Sequence, residues 1–156
     1  MEALKILNFS SCSGLKKFPD IQGNMGHLLE LYLASTAFEE LPTSIERLTG
    51  VVLLDLKRCK NLKSLPISIC KLESLEYLFL SSRSKLENFS EMMEDMENLK
   101  ELVLDGTTIE GLPLSIDHLK GIVLLSLRNC KNLASLPKGI CKLTSLENSL
   151  SLVVHN

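Results

Sequence analysis

Apolar and polar residues follow one another along this chain in a phrase that opens seven times. Leu4, Leu28, Val51, Leu75, Leu99, Ile122 and Leu146 begin it, at spacings of 24, 23, 24, 24, 23 and 24 residues. The phrase reads Leu-x-x-Leu-x-Leu-x-x-(Cys/Thr), as at Leu28, Leu31, Leu33 and Thr36, or at Val51, Leu54, Leu56 and Cys59. The alternation Leu54-Asp55-Leu56 predicts a short strand with one buried face. The residues that follow must turn and travel back. Leu41-Pro42 with Ile45 and Leu48, and Leu65-Pro66 with Ile69 and Leu72, predict a turn leading into a brief helical segment. One phrase therefore makes one coil, and a single coil cannot cover its own leucines. Neighbouring coils must stack, with their strands side by side in a parallel sheet.

This pattern is the leucine-rich repeat. It predicts an α/β chain folded as a leucine-rich repeat solenoid, or horseshoe, with a concave parallel β-sheet and short helical or irregular convex segments. Residues 1–148 are expected to form one domain of about six repeats, starting near 4, 28, 51, 75, 99 and 122, and 149–156 an irregular tail. A second periodicity overlies the first: residues 51–76 and 122–147 share Cys-Lys-Asn-Leu, Ser-Leu-Pro and Ile-Cys-Lys-Leu at an offset of 71, which is three coils. The same offset relates 28–50 to 99–121, so a block of three repeats is expected to have been duplicated. Both ends are abrupt for a solenoid, because Leu4 opens a repeat almost at once and the Leu-x-Leu after Leu146 comes one residue late. The sequence reads as a segment of a longer array.

Composition narrows the chemistry. The 34 leucines against 4 alanines, without tryptophan, disfavour a compact helical bundle, which draws on alanine for close helix contacts. Seventeen basic and nineteen acidic residues give a net charge of −2, too little to hold a phosphate backbone or an anionic membrane, so neither nucleic acid nor membrane is an expected partner. Apolar runs such as Val51–Leu54 and Ile122–Leu125 fall far below the roughly 18 residues of a membrane span, and residues 1–5 do not read as a signal peptide. Five cysteines, none in a Cys-x-x-Cys pair, argue against a disulfide framework and a zinc site, and for a reducing compartment.

Catalytic and cofactor motifs are not found: there is no phosphate-binding loop, no dinucleotide fingerprint, and His27, His118 and His155 are scattered. No metal site, cofactor or catalytic residue is expected. Cys12, Cys59 and Cys130 share a position with Thr36 and Thr107, where a small side chain turns inward to meet the backbone of the bend. Cys70 and Cys141 lie on the return leg. The sequons at Asn8 and Asn88 are discounted, since about one match is expected by chance among nine asparagines. Arg83 occupies the Cys/Thr position, and the cost of burying an unpaired guanidinium predicts that the bend opens there and the side chain reaches solvent; a surface contact site is the sharper alternative. The same coil has Ser90 in place of proline and is expected to be looser or more helical, with Met93 and Met96 inward.

The outward strand positions remain for recognition. They are Ile6, Asn8 and Ser10, then Glu30, Tyr32 and Ala34, Leu53, Asp55 and Lys57, Tyr77, Phe79 and Ser81, Glu101, Val103 and Asp105, and Leu124, Ser126 and Arg128. Both tyrosines of the chain fall on this face, ringed by mixed charge as in many protein-contact surfaces. The expected protein-binding residues are Glu30, Tyr32, Leu53, Asp55, Lys57, Tyr77, Phe79, Glu101, Val103, Asp105, Leu124 and Arg128.

The full repeat, the phrase Cys59-Lys60-Asn61-Leu62-Lys63-Ser64-Leu65-Pro66, the phrase Leu104-Asp105-Gly106-Thr107-Thr108-Ile109 and the alternating coil lengths resemble one family in particular. It is the leucine-rich region of plant intracellular immune receptors of the class with a Toll/interleukin-1-receptor domain and a nucleotide-binding domain. The resemblance covers residues 1 to about 148; Arg83, Ser90 and the broken last repeat depart from it. It implies a non-enzymatic, cytoplasmic recognition module for defence signalling. Its partners would be proteins: a pathogen effector, a host target or other domains of the parent receptor. Nucleotide exchange and NAD cleavage belong to other domains of that family and are not carried over. The alternative is a generic intracellular leucine-rich repeat scaffold for signalling complexes.

Overall fold

The computed structural model describes residues 3–81, 85–87 and 89–147. Arg83, Asn88 and the tail 149–156 lie outside the described residues. Six three-residue strands form where the phrase alternates: β1 (Ile6–Asn8), β2 (Glu30–Tyr32), β3 (Leu53–Asp55), β4 (Tyr77–Phe79), β5 (Glu101–Val103) and β6 (Leu124–Ser126). They pair in parallel in chain order as one open sheet. The register is that of the repeat, so Leu7, Leu31, Leu54, Leu78, Leu102 and Leu125 stand in one inward row. From Leu31 onward these leucines are completely buried. The leucine-rich repeat solenoid expected from the spacing is the fold observed.

Three positions beyond β1, β2, β3, β5 and β6 the chain leaves the sheet at a left-handed residue. Ser11, Ser35, Arg58 and Asn129 have φ between 57° and 67°, and Gly106 has φ 67°. Each of the first three, and Gly106, still donates its amide to the next coil, as Ser35 does to Lys57 O at 2.8 Å and Arg58 to Ser81 O at 2.9 Å. The following side chain then points inward. The Cys59 thiol donates to Leu33 O at 3.2 Å and the Thr36 hydroxyl donates to the same oxygen at 2.8 Å. Cys130 and Thr107 treat Leu104 O in the same way. A small polar group is needed here because the bend leaves a carbonyl facing the interior. Cys12, in the first coil, is exposed.

The Leu-Pro phrase sets the return leg. Pro42, Pro66, Pro113 and Pro137 adopt extended backbone and lead into 3-10 helical turns at Thr43–Arg47, Ile67–Lys71, Leu114–His118 and Lys138–Lys142. In a 3-10 helix residues i and i+3 eclipse, so Ile45 and Leu48 share one inward side, as do Ile69 and Leu72. The first and fourth coils lack this turn. There the inward residue lies two positions beyond Pro19 or Ser90, at Ile21 and Met92, whereas elsewhere it lies three beyond the proline.

This corrects the expected packing of the fourth coil: Met92 and Met96 are buried, but Met93 is 67% exposed. Without a helical turn after Ser90, Met92 reaches the interior one residue early. Its amide is held by Ser115 Oγ at 2.7 Å, as that of Ile21 is by Ser44 Oγ at 3.0 Å. Asp20 in turn accepts from the Ser44 hydroxyl, and Glu91 from the Ser115 hydroxyl. Glu91 also accepts from the amides of Leu114 at 3.1 Å and Ser115 at 3.0 Å, which are the open donors at the start of the neighbouring 3-10 turn. These bonds, the Ser115 hydroxyl foremost, hold the Glu91 carboxyl below its ordinary pKa. The pairs Asp20/Glu91, Ile21/Met92 and Ser44/Ser115 are all separated by 71 residues, so the three-coil offset is an offset of structure as well as of sequence.

Close stacking adds a constraint at two glycines. A Cβ at Gly50 would overlap the carbonyl oxygen of Gly26, and one at Gly121 would overlap that of Glu97. Gly50→Ala and Gly121→Ala are therefore expected to lower the urea midpoint by the equivalent of about 1–3 kcal/mol, the usual cost of overpacking. Gly14→Ala, where a Cβ meets nothing within 4 Å, is the control and should leave the midpoint nearly unchanged.

A second outcome concerns acid. Because the folded pKa of Glu91 is depressed, its contribution is complete above the ordinary glutamate range and is lost as pH falls through the folded value. Glu91→Gln should be less stable than the parent at pH 7, with the gap closing toward pH ~3 in urea titrations.

Candidate protein-recognition surface

The outward side chains of the sheet fall into three rows. Ile6, Glu30, Leu53, Tyr77, Glu101 and Leu124 make the first, and Asn8, Tyr32, Asp55, Phe79, Val103 and Ser126 the second. The third, two residues further on, contains Lys57, Asp105 and Arg128, close to where the ladder ends. Glu30, Tyr32, Leu53, Asp55, Lys57, Tyr77, Phe79, Glu101, Val103, Asp105 and Leu124 are half-buried, and Arg128 is exposed. The strands thus bring the twelve residues singled out from the sequence onto one continuous face. They do not make it uniform.

Its centre is aromatic. The Tyr77 and Phe79 rings lie 6.5 Å apart, tilted by 34°, and Lys57 Nζ sits 4.2 Å over the Phe79 ring, within cation–π range. On β2, two strands from β4, the Tyr32 hydroxyl donates to Glu30 Oε2 at 2.8 Å. That bond, followed by burial and by the charges of Glu30 and Asp55, pushes the Tyr32 pKa up. Other polar groups are tied into the scaffold. Asp55 Oδ1 accepts from the Lys57 amide at 2.9 Å, and Asp105 Oδ1 accepts from the Ser126 hydroxyl at 2.6 Å and the Arg128 amide at 2.9 Å. Asn8 does the same for the Ser10 amide at 2.8 Å. An Asp or Asn at the strand's end supports the bend, a structural task that the alternation did not disclose.

Leu29 and Val123, one residue before β2 and β6, are exposed hydrophobics at the rim of this face. The strand alternation alone does not single them out. The signal lay in the first variable position of the phrase, where Leu29, Val52 and Val123 are all apolar. On the same position Lys100 pairs with Glu76 at 2.8 Å.

Elsewhere, a cleft of about 330 Å³ lies between the third and fourth coils beside Cys70, Glu73 and Asn98. One of about 300 Å³ opens at the first coil among Phe9, Phe18, Ile21 and Met25. Burial pushes the Cys59 and Cys70 thiols up, which suits small packed side chains rather than nucleophiles. Among the described residues no group of three or more His, Cys, Asp or Glu side chains is placed to hold a metal ion, and no helix is long and apolar enough to cross a membrane.

Comparison with known proteins agrees with this geometry. Residues 1–108 match the family model described as a leucine-rich repeat region. The chain belongs to the leucine-rich repeat family. Its repeats are 42% identical over 147 residues to a probable disease resistance protein of Arabidopsis thaliana, covering 93% of this chain and 8% of that protein. They are 38% identical over 133 residues to the TMV resistance protein N of Nicotiana glutinosa, covering 85% of this chain and 12% of that protein. The resemblance to plant disease resistance proteins read from the motifs is thereby shown. The chain spans about a tenth of the length of these relatives. Among solved structures, the leucine-rich repeat domain of the type III effector XopL superposes with a TM-score of 0.78 at 29% identity, covering 97% of this chain and 53% of that one.

The placement of the thiols in this leucine-rich repeat chain gives a direct test. Cys12 and Cys141 are exposed, Cys130 is half-buried, and Cys59 and Cys70 are buried. In native buffer an aromatic disulfide reagent should titrate Cys12 and Cys141 quickly, whereas Cys59 and Cys70 should react at the rate of unfolding. Prompt modification of Cys59, located by mass spectrometry, would contradict the packed bend.

Proposed function

We propose that this leucine-rich repeat chain is a non-catalytic protein-recognition module of a plant immune receptor, acting in the cytoplasm through contacts on the concave sheet face. The observation that carries this reading is the half-buried aromatic centre of that face. Tyr77 and Phe79 point away from the leucine core, and their rings, with Lys57 over one of them, offer apolar area at low conformational cost to a partner. The disease resistance relatives supply the biological setting, and free cysteines suit a reducing compartment. The partner is a pathogen effector, a host target or another domain of the parent receptor.

The test is a two-hybrid screen of the chain against pathogen effectors and host proteins, repeated with variants. Tyr32→Ala, Tyr77→Ala and Phe79→Ala should each keep an unfolding midpoint close to the parent's yet weaken the partners found. Lys71→Ala, on the return leg, should retain them. Partners that survive all three aromatic substitutions, or unfolding of all three variants, would overturn the assignment.

A further inference from the structure

The first outward row fixes more than the location of a contact. Read across the strands it runs Glu30, Leu53, Tyr77, Glu101: a carboxylate, two apolar side chains and a second carboxylate, on β2, β3, β4 and β5. Among the described residues neither Glu30 nor Glu101 takes part in a salt bridge. The cations of the face are engaged or peripheral, since Lys57 lies over Phe79, Lys100 pairs with Glu76, and Arg128 stands four residues beyond Leu124 at the sheet's last strand. The hydroxyl of Tyr32 leaves the other Glu30 oxygen open.

Geometry then selects the shape of the partner. Each strand is three residues long, whereas six strands stand side by side, so an extended segment finds length only by crossing them. Neighbouring strands lie ~4.8 Å apart, which puts β5 ~14 Å from β2. An extended peptide rises ~3.4 Å per residue and presents alternate side chains to one side, so side chains i, i+2 and i+4 fall at ~0, ~7 and ~14 Å. The first and third meet the two carboxylates, and the middle one falls between Leu53 and Tyr77.

We infer that the concave face binds an extended protein segment of the pattern basic–x–apolar–x–basic, laid across β2 to β5 with its basic side chains on Glu30 and Glu101 and its apolar side chain on Leu53 and Tyr77. This deepens the recognition role proposed above and rests on it. Opposite charges at both ends fix the register of the segment, and the aromatic floor supplies the area between them.

Fluorescence polarisation with labelled seven-residue peptides tests it. Ser-Arg-Ser-Phe-Ser-Arg-Ser should bind at least tenfold more tightly than the charge-reversed Ser-Glu-Ser-Phe-Ser-Glu-Ser and than the respaced Ser-Arg-Arg-Phe-Ser-Ser-Ser. Glu30→Gln and Glu101→Gln should each weaken the first peptide severalfold, the double variant should bind it no better than the respaced peptide, and raising the salt should weaken it further. Equal binding of the three peptides, or no saturable binding of the first up to millimolar concentration, would overturn the inference. The two readings fail separately: partners from the two-hybrid screen that are lost with Phe79→Ala but kept by the Glu30→Gln/Glu101→Gln variant leave the recognition face standing and remove the basic-segment assignment.

Discussion

Each coil leaves its leucines uncovered on the sides where another coil must lie, and the whole structure follows from closing that gap. The inward row from Leu31 to Leu125 is dry only because each member is roofed by those before and after it. Contact this close reaches the backbone, where Gly50 and Gly121 pass over carbonyl oxygens with no room for a side chain. The hydrogen bonds obey the same constraint. Cys59 and Cys130 serve carbonyls one coil earlier, and Glu91 holds the start of a 3-10 turn one coil later. Surface ion pairs such as Lys71–Glu46 and Lys142–Asp117 also join neighbouring coils, but pairs this exposed contribute little and serve chiefly to hold alignment.

Most of this scaffold was written in the chain because its cause is periodic. A leucine every 23 or 24 residues needs only one arrangement to be buried, so strand positions, the direction of pairing and the proline-led turns could all be read from Leu54, Leu56 and Pro66 and their counterparts. The fourth coil shows where the reading fails. Met92 and Met93 are equally apolar neighbours, and the choice between them depends on whether a helical turn follows Ser90, which Ser115 and Glu91 across the coil boundary help to decide. A pattern confined to one repeat cannot contain that information. The first coil carried the clue, since Ile21 already stands two residues after Pro19.

The outward face was legible in outline and not in detail. Alternation put Tyr77 and Phe79 beyond the core, but it could not reveal that Lys57 lies over one ring, or that Asp55 and Asp105 are partly spent on backbone amides at the strand ends. Those contacts separate groups left open to a partner from groups that shape the bend. The distinction matters for Glu30 and Glu101, which hold no salt bridge among the described residues, and for Asp105, whose Oδ1 already accepts two hydrogen bonds.

The return legs without a helical turn, in the first and fourth coils, have an effect on shape that no single coil displays. A leg without the turn reaches the interior one residue sooner than one that winds, and the two such legs stand three coils apart. Copying a block of three carries its turnless leg, the carboxylate that accepts from the next coil's serine hydroxyl and the glycine of close approach to matching places. Such an array can lengthen by whole blocks while its bend continues with the same rhythm, leaving the outward strand residues free to diverge from one block to the next.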